Sequence, residues 1–257
     1  MKSFFGKYNI WRIIRTLGVA VIVVILYFAV KRKENTTLDN VFIEINTIDK
    51  DKLINKKDIL KYLKKTLNND LESTKIKAVD IAKIESLLDK SRYIQDADVY
   101  IDKKNNLHIS CTLRSPVVRV KRKHKKDFYL DYQGNPVPVS KRTAVRVPVI
   151  SSAGDFFNLS KIHKENTMEN KILTLSKKIY DDPFLYALIE QIYVDKNEEI
   201  ILIPKLGKQK IEFGKIENID RKLNKLKVFY KEGMSRKGWT KYSKLSLKWD
   251  NQIVGTF

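Results

Sequence analysis

Fifteen consecutive residues, Thr16 to Val30, carry no charge and are mostly Val, Ile, Leu, Ala and Phe. No other segment restricts the chain so strongly, because a run of this kind belongs inside a core or inside a lipid bilayer. As a helix, fifteen residues rise only about 22 Å, short of a hydrocarbon layer of roughly 30 Å. Counted from Ile10, the helix has 21 residues and rises about 31 Å. Arg12 and Arg15 then snorkel to the interface, and Trp11 and Tyr27 sit near the two ends. A cleaved signal peptide is the competing reading, since its apolar stretch is comparably short. The run ends instead in Lys31-Arg32-Lys33, with no small-x-small cleavage site. We expect an uncleaved transmembrane helix over 10–30, after a tail at 1–9 and before a polar linker at 31–40. Lys2, Lys7, Arg12 and Arg15 on one side nearly balance Lys31, Arg32 and Lys33 on the other. Charge alone therefore does not orient the span.

The chain of 257 residues has a formal net charge of +21. Such charge suits nucleic acid, anionic lipid or simply a solvated surface. Lysine outnumbers arginine by 40 to 11 and is spread along the whole chain, whereas planar bidentate phosphate contacts favour arginine. A lysine-rich surface is the simplest account. A hydrophobic share of 43%, with only nine glycines and six prolines, indicates packed domains rather than long disordered tracts. The single cysteine, Cys111, rules out an intrachain disulfide.

Beyond the linker, period-two alternation predicts a strand at Val41–Asn46. Asn55 followed by Asp58 predicts a helix start, and Ile59, Leu60, Leu63 and Leu67 form its apolar stripe. A second helix follows Asp80, with Ile81, Ile84, Leu87 and Leu88 on one face. Ala97, Val99 and Ile101 alternate, as do Leu107, Ile109, Cys111 and Leu113, across a polar turn at 102–106. The order strand-helix-helix-strand-strand suits two helices on one face of a three-stranded sheet, which places Cys111 in the core.

Ser115-Pro116 marks a boundary, and the remainder is read as mostly β. Strands are expected at 117–120, 127–131, 145–150, 189–194, 200–204 and 210–213, with a turn at 132–136. One helix is expected after Asn166, capped with Glu169, and another from Ile219 to Lys231, closed by Gly233. The fold class is α+β: one amino-terminal transmembrane helix, a βααββ domain at 41–115, and a mainly antiparallel β-domain with flanking helices at 116–257.

Catalytic constellations are missing from the pattern. His108, His124 and His163 have no metal-ligand spacing, and there is no nucleophile elbow. The segment Gly233 to Thr240 superficially resembles a P-loop, but Trp239 stands where the lysine must be. No enzyme activity, cofactor or metal is expected. The cluster Lys121-Arg122-Lys123-His124-Lys125-Lys126 is the best nucleic-acid candidate. It lacks the interleaved aromatics that single-strand stacking uses, and a solvated hairpin tip accounts for it.

The first exposed domain resembles a POTRA module in its element order. Beyond order, Ile84-Glu-Ser-Leu-Leu-Asp-Lys-Ser-Arg-Tyr-Ile-Gln-Asp-Ala-Asp-Val99 is similar to the helix and "xxVxxAxV" segment of the FtsQ/DivIB family. Leu107-His-Ile-Ser-Cys-Thr-Leu-Arg-Ser-Pro-Val117 is similar to its "LxIxVxERxPVA" segment, with Leu113 in place of the glutamate and Arg114 and Pro116 kept. Phe128-Tyr-Leu-Asp-Tyr-Gln-Gly-Asn-Pro-Val137 resembles the family's aspartate–glycine turn. Ile189–Val194, Ile203–Gly207, Phe229–Gly233, Gly238–Tyr242 and Leu247–Val254 resemble family members of the Bacteroidetes type. The resemblance implies a cytoplasmic amino terminus, one inner-membrane span, and both domains in the periplasm at the division septum. It implies a scaffold that binds FtsB and FtsL and so regulates the peptidoglycan synthase FtsW–FtsI.

Leu245, Leu247 and Trp249 alternate with Lys244, Ser246, Lys248 and Asp250. This pattern predicts a final strand from Tyr242 to Trp249, continuing towards Val254, with one buried face. If that strand ends the sheet, its outer backbone groups form a template for strand addition. The resemblance places partner docking at Lys248, Trp249, Asn251, Gln252, Ile253 and the tail through Phe257. Two other classes fit less of the pattern: a membrane-tethered POTRA protein of an assembly or transport system, and a membrane-anchored nucleic-acid binder.

Overall fold

The computed structural model describes residues 8–34, 36–47, 52–140, 142–154, 157–234, 238, 241–250 and 252–257. It divides into two compact units, one holding residues up to Asn46 with 55–91 and 96–111, the other 47–54, 92–95 and 112–257.

The first unit opens with helix α1 (Tyr8–Glu34), 27 residues long. All the described side chains from Arg12 to Phe28 are exposed, so its apolar surface meets no protein core. Among the described residues, no helix is long and apolar enough to cross a membrane. The unbroken run of described side chains in α1, Arg12 to Phe28, rises about 26 Å, below the roughly 30 Å needed.

Strand β1 (Val41–Asn46) follows, then α2 (Lys56–Leu67), α3 (Ile81–Asp89), β2 (Ile94–Ile101) and β3 (Leu107–Leu113). The sheet order is β1-β3-β2. Helix α2 starts on a capping box: Asn55 Oδ1 accepts from the Asp58 amide at 3.0 Å, and Asp58 Oδ2 accepts from the Asn55 amide at 3.1 Å. Asp80 caps α3 through the Lys83 amide at 2.9 Å. Ile59, Leu63, Ile84 and Leu88 are buried on these helices, and Ile43, Ile45, Val99, Leu107, Ile109 and Cys111 on the strands. Two short 3₁₀ turns between the helices, Leu71–Ser73 and Ile76–Ala78, have no signature in the hydrophobic pattern.

Cys111 has no solvent exposure, and burial, aided by Asp89, pushes its thiol up to about 11. The thiolate is the reacting species. We expect no alkylation of the folded protein by iodoacetamide at pH 8 over an hour, and stoichiometric alkylation in denaturant, read by intact mass. Fast labelling without denaturant would show that the core opens.

The second unit is a nine-stranded sheet of order β12-β11-β10-β9-β8-β7-β4-β5-β6. Its strands are β4 (Pro116–Val120), β5 (Phe128–Asp131), β6 (Pro136–Pro138), β7 (Val149–Ser152), β8 (Ile189–Val194), β9 (Ile200–Pro204), β10 (Lys210–Gly214), β11 (Lys244–Ser246) and β12 (Val254–Thr256). β7 lies between β4 and β8 and is parallel to both, and β10 and β11 are also parallel. The other five pairings are antiparallel. Helices α4 (Met168–Asp181), α5 (Pro183–Leu188) and α6 (Ile219–Val228) supply Ile172, Leu175, Ile179, Leu185, Leu223 and Leu226 to the main core. Tyr129 points into a second cluster with Leu53, Val137 and Val145, and its hydroxyl accepts from the Val145 amide at 3.2 Å. Both faces of β5 are thus covered, and all four of its residues are buried.

Arg114 and Asp131 come together just before β4 and at the end of β5. Arg114 Nη1 donates to Asp131 Oδ2 at 2.8 Å. The Asp131 carboxylate, 1% exposed, also accepts from the Asn135 amide at 2.7 Å and Asn135 Nδ2 at 3.1 Å. Gly134 completes this turn with φ +89°, where an added Cβ would lie 2.8 Å from Leu173 Cδ2.

Several expectations are corrected. Thr167, not Asn166, caps α4, through the Asn170 amide at 3.3 Å. Asn166 is left-handed at φ 62°, and Glu169 is buried, accepting from the Asn158 amide instead of closing a capping box. The strand expected at 145–150 lies at Val149–Ser152, because Val145 packs into the second cluster ahead of it. β6 and α5 were not expected, since three residues and six are too short to show a period. Gly233 does not close α6. The helix widens into a π turn at Phe229–Met234, which buries Tyr230 and Met234.

Candidate partner-binding edge

The stretch expected to form one long final strand forms two short ones. β11 pairs with β10 on one side and with β12 on the other, matching Lys244 to Thr256, Leu245 to Gly255 and Ser246 to Val254. β11 is therefore not the open edge. Its outer groups are taken by the chain's own continuation, and the edge passes to β12.

The burial pattern changes at the same place. Leu245 and Leu247 are fully buried, whereas Trp249 is 58% exposed in the turn after them. The alternation thus stops at Leu247. Lys225 of α6 holds the turn: its ammonium donates to the carbonyls of Leu247 at 3.5 Å, Gln252 at 3.2 Å and Trp249. Burial of that ammonium lowers its pKa. Arg221 of α6 also pairs with Asp250.

Of the residues expected to dock a partner, Lys248, Trp249, Gln252 and Ile253 lie between β11 and β12, and Phe257 follows β12. Asn251 lies outside the described residues. Lys248 is engaged by Glu199 at 2.6 Å, and its stem packs over Gly214. Ile253 packs partly against the main core.

Sequence reasoning missed the residues that anchor β12. The Tyr242 ring stacks on Phe257 with centroids 5.1 Å apart and packs against Phe229 at 5.9 Å. Gly255 runs against the same ring, and a Cβ there would lie 2.6 Å from Tyr242 Cδ1 and Cε1. Ser243 donates its amide to Thr256 O at 2.9 Å and its hydroxyl to the carbonyls of Thr256 and Phe257. Gly255 was the available signal: a glycine in a strand marks a close approach of the backbone. Trp249, Val254 and Phe257, at 58%, 41% and 75% exposure, present an apolar border along this end of the sheet.

Chemistry of another kind is not assembled. Among the described residues, no group of three His, Cys, Asp or Glu side chains is placed to hold a metal. His108 Nε2 meets Asp102 Oδ2 at 3.0 Å, an acid–histidine pair, but no described serine, threonine or cysteine side chain is hydrogen-bonded to that imidazole.

A βααββ domain followed in sequence by a mixed sheet that ends on a short outer strand defines a two-domain class of α+β protein. Residues 38–112 match the family model of the POTRA-like domain, and residues 115–256, more than half of the chain, match that of the FtsQ/DivIB, C-terminal related domain. The chain belongs to the FtsQ/DivIB family of cell-division proteins. No curated protein matches it.

Proposed function

We propose that this protein is a non-enzymatic divisome scaffold that binds FtsB-like and FtsL-like partners along β12 and, through them, recruits and regulates the septal synthase FtsW–FtsI. The observation that carries the reading is the edge itself. β12 is the outermost strand of its sheet, pairs among the described residues with β11 alone, and is bordered by exposed apolar side chains. An extended segment laid along it gains backbone hydrogen bonds, and Val254 and Phe257 supply side-chain contacts. In this reading residues 41–115 and 116–257 are the two periplasmic domains, and residues 10–30 anchor them in the inner membrane at the septum. The anchor is supported by α1, whose 27-residue backbone helix rises about 40 Å. Its side chains from Ile13 to Phe28 are apolar on every side, Arg15, Thr16 and Gly18 excepted, and none is buried against protein.

The test is affinity capture from crosslinked cells with the full chain and with a chain ending at Leu247. We expect FtsB- and FtsL-like proteins with the full chain alone, and retention of the full chain in the membrane pellet after alkaline carbonate extraction. Equal capture by both chains would move the site away from β12. Release by carbonate would remove the anchor.

A further inference from the structure

The open face of the three-stranded sheet carries a ring stack. Phe42 of β1, His108 of β3 and Tyr100 of β2 stand side by side in the order of the strands. The His108 and Tyr100 centroids are 4.8 Å apart with planes inclined by 5°, and those of His108 and Phe42 are 5.1 Å apart at 26°. Asp102 fixes the imidazole from the β2–β3 turn. Hydrogen bonds from Asn106 above all, then from His108 and the Lys104 amide, keep that carboxylate well below the usual range. His108 has a ring on each face, so the free π surfaces are the outward faces of Phe42 and Tyr100, each residue 50% exposed. A contiguous exposed apolar patch is a common mark of an interaction surface.

Period-two alternation puts Glu44, Asp98 and Asp96 on this same face, further along the strands, and all three are exposed. Among the described residues, none of these carboxylates is in an ion pair. An acidic, aromatic face stands out on a chain of net charge +21. Ring faces and carboxylates together suit one chemical class: cationic side chains, whose charge meets the π face and the acid while their methylene stems cover the rings.

We propose that the open face of the first unit's sheet, centred on Phe42, Tyr100, Asp96 and Asp98, docks a lysine- or arginine-bearing segment of a partner protein. This surface is separate from β12, and the proposal does not rest on the edge reading. The net charge sharpens the test, because it repels a cationic probe from most of the rest of the surface.

The experiment uses the full chain in neutral-lipid nanodiscs and a fluorescein-labelled hexa-arginine peptide, read by anisotropy at low salt. We expect saturable binding that weakens about fivefold in Phe42→Ser/Tyr100→Ser, as two exposed ring contacts would give. Asp96→Asn/Asp98→Asn should weaken it by a similar factor, about fivefold. Both pairs of positions are exposed, so circular dichroism should show the folded state retained in each variant. Binding unchanged in either variant would overturn the proposal. Concentration-dependent self-association of the unliganded chain, lost in the Asn variant, would replace the partner with a second copy and overturn it too.

Discussion

Replacing Arg114 with methionine is expected to lower stability by about 3 to 5 kcal/mol, the usual cost of stripping one partner from a buried ion pair. Asp131 is 1% exposed and holds three donors, one of them Arg114 Nη1 at 2.8 Å. Methionine keeps the stem but leaves the carboxylate with the two Asn135 donors and no counter-charge. Urea unfolding of the full chain, followed by far-ultraviolet circular dichroism, measures the loss. Adding Asp131→Leu should recover part of it, because the uncompensated charge leaves with the aspartate. Recovery should be incomplete, since Asp131 also closes the turn through Asn135. A loss below about 1 kcal/mol would show that the pair is effectively solvated, as exposed salt bridges are.

The second large effect is expected at Gly255. Valine there would thrust a Cβ to 2.6 Å from two atoms of the Tyr242 ring, and Phe257 and Phe229 restrain that ring from moving. β12 must give way. Capture of the division partners should fall at least about tenfold, equivalent to about 1.4 kcal/mol. The melting temperature should move by only a few degrees, because β12 is a short outer strand. Tyr242→Ala should restore capture to Gly255→Val only in part, because it makes room for the side chain but removes the ring that holds β12. Full capture by Gly255→Val with an unchanged fold would sink the edge as the docking site. Loss of both capture and folding would locate the effect in the core instead.

The parts of the fold that were legible share a physical cause. β1, α2, α3 and β3 each bury one face, so their hydrophobic periods are clean, and Asn55 and Asp80 mark the helix starts with local hydrogen bonds. β8, β9 and β10 were legible for the same reason. β6, α5 and β12 were not. Each is held by tertiary partners rather than by a period of its own: Val137 by Tyr129, α5 by the core around Leu185 and Leu188, and β12 by Tyr242. The open edge of the sheet was expected on the stretch from Tyr242 to Trp249 and lies on β12. Leu245 and Leu247 alternate correctly, but Trp249 continues the pattern only in sequence, since Lys225 turns the chain outward before it. Pairing of Arg114 with Asp131 could not be seen in advance, although both belong to motifs that carried the family resemblance.

The position of β7 has a consequence for how the large sheet is assembled. On one side of it, β4, β5 and β6 form from neighbouring hairpin segments. On the other, β8, β9 and β10 do the same. Among the described strands only β7, four residues long and parallel to both neighbours, joins the two halves. Parallel pairing closes long loops, so its contacts have high sequence separation and form slowly. The two halves are therefore expected to ripen quickly as separate ribbons, each with a raw edge, and to fuse late along a single seam. Val149–Ser152 then governs how long the unfinished sheet stays open to mispairing.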